Sequence, residues 1–322
     1  MNIYPLKFNP IMKDRLWGGN KLKSLFNKPS VTETTGESWE ISAVEGDVSL
    51  VSFGDLMGVS LKQLINDYPL ELLGRSVVNR FGKEFPILIK FIDAKQDLSI
   101  QLHPNDELAK KRHNSFGKTE MWYIMDADPN ANLIVGFNKE VEKEEYKASL
   151  ENDSLLDLLN YEEVKEGDTF FINTGKIHAI GAGVLLAEIQ QTSDVTYRVF
   201  DFNRKDKNGN LRELHTDLAL DAIDYTKKDD FKVVYDDKKN SINTMVDCPY
   251  FKTNIIDLDK DFSQDITERD SFTIYMCVSG SATIVNDFGS TSIEKGETVL
   301  VAASSNLLKI STNHAKLLEV TI

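Results

Sequence analysis

From residue 251 to the C-terminus, short apolar runs recur at roughly even spacing: 251–258, 271–278, 282–285, 297–302 and 317–322, each bounded by turn residues. Short strands in that rhythm bury themselves in few ways, chiefly as a sandwich or a closed barrel. Much of the preceding chain follows the same habit. Residues 37–42 alternate, 85–94 form a dense apolar strand, and 166–203 read as strand and turn. Two stretches depart from it. Between 58 and 74, Leu61, Leu64, Ile65, Tyr68 and Leu72 fall at helical spacing, interrupted at Pro69, with Ser60 as N-cap. A second helical stretch runs from about 139 to 160, acidic at its start and carrying Leu155, Leu156, Leu158 and Leu159 near its end. The expected fold is therefore mainly β, with a few short helices. A charged, turn-rich interval at 226–240 marks a boundary, giving units 1–230 and 231–322. Glu166-Gly167-Asp168 and Lys295-Gly296-Glu297, each before an apolar strand, suggest that the two β units are related.

Charge narrows the partners. The 322 residues include 37 basic and 51 acidic side chains, a net charge of −14. Such a surface disfavours nucleic acid, and an anionic ligand needs a locally basic pocket. Cys248 and Cys277 stand outside any C-x-x-C or zinc-finger spacing and read as two reduced thiols. No apolar run approaches the ~20 residues of a membrane span, and residues 1–10 lack a signal-peptide pattern. The expected location is the cytoplasm, as a monomer or homodimer.

Three motifs carry chemistry. In Ser99-Ile100-Gln101-Leu102-His103-Pro104-Asn105-Asp106, strand alternation puts Ser99, Gln101 and His103 on one face. In Lys118-Thr119-Glu120-Met121-Trp122, Lys118, Glu120 and Trp122 share a face; taken alone, this Lys and Glu read as a surface pair. The third motif, residues 167–178, runs from a tight turn through a strand and a second turn to His178. Two imidazoles and a carboxylate suit zinc and related divalent ions, and Gln101 can add a carbonyl oxygen, leaving an open site. His113, His215 and His314, placed in a basic loop, after a charged turn and near a C-terminal hairpin, fit this set less well. Glu188 and Gln190 share a face of their strand, Arg198 shares one with Phe200 and Phe202, and Lys90 interrupts an apolar run. Lys90, Lys118 and Arg198 are the candidate cations for an anionic ligand.

These residues resemble a known family. Gln101-Leu102-His103-Pro104-Asn105-Asp106 is similar to the Q-x-H-P-x-D signature of type I mannose-6-phosphate isomerases, zinc enzymes built on cupin β-barrels. The likeness extends to Trp17-Gly18-Gly19, to 36–40, to 85–106, to 118–123 and to 167–204, and it favours the short bacterial form. Leu102 stands where the family usually has Val. The resemblance implies one zinc ion held by Gln101, His103, Glu120 and His178. It implies an active-site arginine at Arg198, with Glu188 and Asp194 lining the pocket. Lys90, Ser99 and Lys118 then belong to the sugar phosphate or the catalytic centre. Proton transfer falls to Glu188, Lys118 or a metal-bound water, and Arg204 is a further cation for the phosphate. The implied reaction interconverts mannose 6-phosphate and fructose 6-phosphate. The ligand-free unit 231–322 then serves as a structural partner. Two other readings use the same residues: an iron site for oxygen chemistry, and a sugar-phosphate-binding regulator without catalysis.

Overall fold

The computed structural model describes residues 2–206 and 208–322; Met1 and Lys207, both in the span 1–230, lie outside the described residues. The first unit rests on two antiparallel sheets. The larger runs in the order β1 (Ile11–Gly19), β2 (Thr35–Ile41), β5 (Ile87–Asp93), β12 (Val184–Gln191), β7 (Glu120–Ala127), β10 (Thr169–Ile172). The smaller runs β13 (Tyr197–Phe200), β6 (Ile100–Leu102), β11 (His178–Ile180), β8 (Asn132–Phe137), β9 (Leu159–Glu163). A ribbon joins β3 (Ala43–Val44) and β4 (Asp47–Val48). The second unit is one sheet in the order β14 (Ile242–Asp247), β15 (Lys252–Leu258), β20 (Leu307–Thr321), β17 (Thr273–Asn286), β18 (Gly289–Glu294). Beside it, β16 (Phe262–Asp265) pairs with β20 and β19 (Thr298–Val301) with β17.

The described helices are short: α1 (Lys21–Phe26), α2 (Leu61–Asp67), α3 (Pro69–Leu73), α4 (Arg75–Phe81), α5 (Asp106–His113), α6 (Lys143–Glu151) and α7 (Thr216–Ala219). Ser60 caps α2 by accepting the Gln63 N–H at 3.1 Å, and Pro69 opens α3, as the sequence implies. Two segments differ from expectation. The stretch 139–160 is not one helix. The chain leaves α6 at Glu151, passes Asp153 in the left-handed region (φ 55°), and makes a 3-10 turn over Leu155–Leu158. Leu159 then opens β9. The leucines are apolar because they bury against the smaller sheet, whatever their local conformation. His113 lies not in a loop but on the last turn of α5. That helix is held by the Asn105 cap, with acids in its first turn and bases in its last. Only Ala109 of α5 is buried, so it carries no apolar period to read.

Packing explains the apolar density of 85–94. On β5, β7 and β12, one set of alternating side chains (Ile89, Phe91, Met121, Tyr123, Ala187, Ile189) faces a core shared with α1–α4 and the second unit. The other set (Ile92, Trp122, Ile124, Leu186) faces Leu133, Val135 and Ile180 of the smaller sheet. A strand buried on both faces loses its polar alternation. The boundary interval is also docked. Phe231 is buried against Trp122 and Phe170 in the core between the sheets, and the Val233 N–H donates to Thr169 O at 2.8 Å. The N-terminal segment crosses to the second unit, where Leu6 pairs with Leu300 and Asn286 Nδ2 donates to Ile3 O at 2.8 Å.

Candidate metal centre and its pocket

The inward faces of the two sheets turn polar at one end of the sandwich. Register places His178 opposite Gln101, and Gln101 opposite Arg198, on the smaller sheet. On the larger sheet one row runs Trp39, Lys90, Glu188, Trp122. Glu120 sits two residues before Trp122 and pairs with Gln190. His103, at the end of the strand that holds Gln101, completes the set.

His103, Glu120 and His178 converge, with ligand atoms all within 4.8 Å of one another. His178 Nε2 lies 3.4 Å from Glu120 Oε1, and His103 Nε2 lies 3.6 Å from Oε2. All three residues are 1% exposed, so water does not satisfy them. Both Nε2 atoms and both Glu120 oxygens lack a hydrogen-bond partner. Lys118 Nζ reaches to 3.4 Å of Oε2, an ion pair without hydrogen-bond geometry. The tautomers follow from the far side of each ring. His103 Nδ1 contacts Val195 O at 2.9 Å, and His178 Nδ1 contacts Lys176 O at 2.8 Å. A carbonyl only accepts, so Nδ1 carries the proton and each Nε2 lone pair points inward, the arrangement that second-sphere carbonyls impose on ligating histidines. The turn before His178 is tied in too: Gly175, at φ 82°, donates its N–H to His103 O at 2.8 Å.

The electrostatics suit a divalent cation. Burial, reinforced by the nearby Glu188 carboxylate, pushes the Glu120 carboxyl up to about 8 against the pull of Lys118 and Lys90. Burial, followed by the Lys118 charge, drives His103 well below the ordinary histidine range; burial takes His178 down to about 4. Neutral imidazoles and a carboxylate short of positive charge make a donor set that a divalent ion satisfies.

Beside the cluster opens a cavity of about 360 Å³ lined by five cationic side chains (Arg15, Lys90, Lys118, Arg198, Arg212) and two carboxylates (Glu37, Asp194). This is the basic pocket that an anionic ligand needs in an acidic chain. Ser99, Gln101 and Trp39 also line it. A relay runs from Arg198 Nε to Ser99 Oγ and from that hydroxyl to Gln101 Oε1, each 3.3 Å. Arg198 NH1 donates to Glu213 O at 2.9 Å, which holds the guanidinium against the wall.

Lys90 and Lys118 are not surface lysines; each is 6% exposed. Lys90 Nζ lies 3.1 Å from Glu188 Oε1, and Trp122 Nε1 donates to Glu188 Oε2 at 2.9 Å. Burial would raise the Glu188 carboxyl, but Lys90 and Lys118 outweigh it and hold it below its usual value. Glu37 behaves alike: burial is overcome by Lys90 and Arg15, leaving it at about 2. Arg15 grips Glu37 with two hydrogen bonds, at 3.0 and 3.1 Å.

Arg204 is diverted. Its guanidinium binds Asp201 Oδ1 at 2.5 Å and the Asp97 carbonyl, and the lining of the cavity does not include it. Arg15 and Arg212 line the wall in its place. Arg15 was readable in principle, since Lys13, Arg15 and Trp17 alternate along β1. Arg212 lies outside any described strand or helix and leaves no periodic signal.

Fold and site together define a mainly β protein with a buried His–Glu–His centre opening into a cationic pocket. Residues 6–137 match the family model of the type I phosphomannose isomerase catalytic domain, and 241–322 match that of the mannose-6-phosphate isomerase cupin domain. The mannose-6-phosphate isomerase ManA of Bacillus subtilis is 34% identical over 304 residues, 94% of each chain. The mannose-6-phosphate isomerase of Streptococcus mutans is 40% identical over 219 residues, 68% of this chain and 67% of that one. The crystal structure of the Bacillus subtilis mannose 6-phosphate isomerase superposes with a TM-score of 0.90 at 31% identity, covering 99% of this chain and all of that one. The chain belongs to the type I phosphomannose isomerase family and is an enzyme of that type, built from two cupin-like β units.

Proposed function

We propose that the chain is a zinc-dependent aldose–ketose isomerase interconverting D-mannose 6-phosphate and D-fructose 6-phosphate through an enediol(ate). The observation that carries this reading is the set of orphaned donor atoms on His103, Glu120 and His178, opening into a pocket of five cations. Those three residues and the Gln101 carbonyl would hold the ion. When bound, it would supply Lewis-acid polarisation of the sugar carbonyl and charge neutralisation.

The remaining steps belong to the chain. Moving a proton between C1 and C2 places negative charge on the sugar oxygens. Arg198, fixed by Ser99 and Glu213, presents its remaining N–H groups to that charge before it develops. Lys118 lines the cavity beside Glu120 and is placed to give and take a proton there. Glu188 is 3% exposed, with Oε2 bonded to Trp122 and Oε1 in an ion pair with Lys90, so we assign it the role of fixing Lys90 and Trp122. Lys90, Ser99 and Asp194 face the sugar hydroxyls. Arg15 and Arg212, each also paired with a carboxylate but lining the cavity as Arg204 does not, are the cations for the phosphate dianion. We place the enzyme in the cytoplasm, on its two free thiols.

The test is a coupled assay of mannose 6-phosphate conversion on the purified, chelated and zinc-restored protein. Turnover that vanishes with chelator and returns with zinc supports the proposal. Turnover indifferent to chelation removes the metal from it, and no turnover under any metal removes the reaction.

A further inference from the structure

The second β unit carries a contact that ends at the metal centre. In the turn between β14 and β15, Tyr250 extends towards the first unit and donates its hydroxyl to Asp106 Oδ2 at 2.9 Å. Asp106 begins α5, three residues after His103. Its other oxygen, Oδ1, accepts the Gly117 N–H at 2.8 Å and Gln191 Nε2 at 3.0 Å. Gln191 in turn accepts the Thr119 N–H on Oε1 at 2.8 Å and gives its own backbone N–H to Thr119 O at 3.0 Å. Thr119 is the residue before Glu120. One carboxylate thus ties the chain after His103 to the chain before Glu120 and to the end of β12, the strand of Glu188.

The closeness of these segments is built in. A Cβ on Gly117 would lie 2.7 Å from Asp106 N and 2.8 Å from Asn105 C, both backbone atoms that cannot step aside. Only glycine lets 117 approach near enough for the Asp106 carboxylate to take its N–H. Phe251, next to Tyr250, is 1% exposed in the core shared by the two units, so the turn that presents the hydroxyl is anchored.

We propose that Tyr250 is a positioning residue by which the second unit sets the spacing of His103 and Glu120. This rests on the reading of that cluster as a metal centre. The Tyr250 hydroxyl occupies Oδ2, orients the carboxylate plane, and so aims Oδ1 at Gly117 and Gln191. Without it the carboxylate is free to turn toward solvent, and the segment 117–120 loses its register against 103–106.

A second contact between the units supplies the control. Asp270 of the second unit accepts the Arg75 N–H at 2.6 Å and the Ser76 N–H at 2.9 Å, at the start of α4. It touches none of the residues around the cluster. The experiment compares Tyr250→Phe with Asp270→Ala in the full chain. Zinc affinity is read by competition with a chromophoric chelator, kcat and KM by the coupled assay, and stability by thermal unfolding. Tyr250→Phe is expected to weaken zinc about tenfold, the low end for loss of an outer-sphere partner. It should lower kcat several-fold with KM changed less than twofold. Asp270→Ala is expected to lower Tm while zinc affinity stays within twofold. Zinc affinity and kcat within twofold of wild type in Tyr250→Phe overturn the proposal. Equal zinc loss in both variants also overturns it, because the effect would then be general loosening between the units. Zinc titration needs no turnover, so failure of the isomerase reading shows separately, as an inactive wild type.

Discussion

The second β unit buries a single glutamate on its described strands, Glu319, and the first buries several, with Glu120 the most enclosed; these two are satisfied differently. Glu319, on β20, is fully buried, and both oxygens are bonded: Oε1 by Tyr275 at 2.7 Å and Arg269 at 3.0 Å, Oε2 by Asn254 at 2.9 Å. Glu120, on β7, is equally buried, and neither oxygen has a hydrogen bond. A buried carboxylate costs several kcal/mol unless something compensates it. In the second unit the compensation is the protein's own guanidinium, phenol and amide. In the first no hydrogen bond supplies it, and the proposed ion would. The neighbourhood agrees: Glu319 is bonded by Tyr275, itself part of the second unit's apolar core, while Glu120 faces two imidazoles whose lone pairs are aimed at it. Burial alone therefore does not mark a functional residue; the convergence of unsatisfied donor atoms on His103, Glu120 and His178 is the stronger sign.

The comparison breaks most decisively at the ligands. His178→Ala should lose zinc and turnover together, with activity down about a thousandfold or more, since several kcal/mol of charge stabilisation go with the ion. Metal analysis of the purified variant, read beside its kcat, checks this; a variant with full zinc and full activity would remove His178 from the set. Glu319→Ala should do the reverse. Leaving Arg269 and Tyr275 without their partner should cost about 3–5 kcal/mol of stability, seen in denaturant unfolding, with zinc per folded chain unchanged. Zinc loss at constant fold would contradict the division of labour. Arg198→Ala should keep zinc and lose about 10²–10³ in kcat, a split that isothermal titration and steady-state kinetics resolve together. The sharpest test is the smallest. Zinc at 100 times its Kd should stabilise the wild type and Glu319→Ala alike by about 2.7 kcal/mol, and should leave Glu120→Ala unmoved. Equal zinc stabilisation of all three would place the ion elsewhere.

Much of this was readable from residue order. The mainly β architecture and the helix behind Ser60 rest on periodicity, and alternation puts Gln101 and His103 on one face; the full grouping with Glu120, His178 and Arg198 rests on donor chemistry together with the resemblance to the type I isomerases. Other features were not. Helix α5 buries one alanine and so shows no period. The leucines of 155–159 are apolar in any conformation that buries them. Lys118 and Glu120 looked like a surface pair because a sequence does not say which face of a strand is covered. Arg204 and Arg212 are equivalent on paper. Both bind Asp201, yet only Arg212 lines the cavity.

Sequence by itself determined which atoms are available: two imidazoles, a carboxylate and an amide on or beside strands, in a chain otherwise too acidic to attract an anion. Those choices are local, set by side-chain chemistry and a two-residue repeat. The tertiary structure decided which of them meet and what lies behind them. The register of β6 against β11, and the packing of the two sheets face to face, brought donors some 75 residues apart in the chain, from His103 to His178, within 4.8 Å. Backbone carbonyls of Val195 and Lys176 set the tautomers, and a tyrosine from the second unit reached the carboxylate beside the ligands. Such pairings depend on long-range packing between segments with no mutual pattern in the chain, so only the folded molecule contains them.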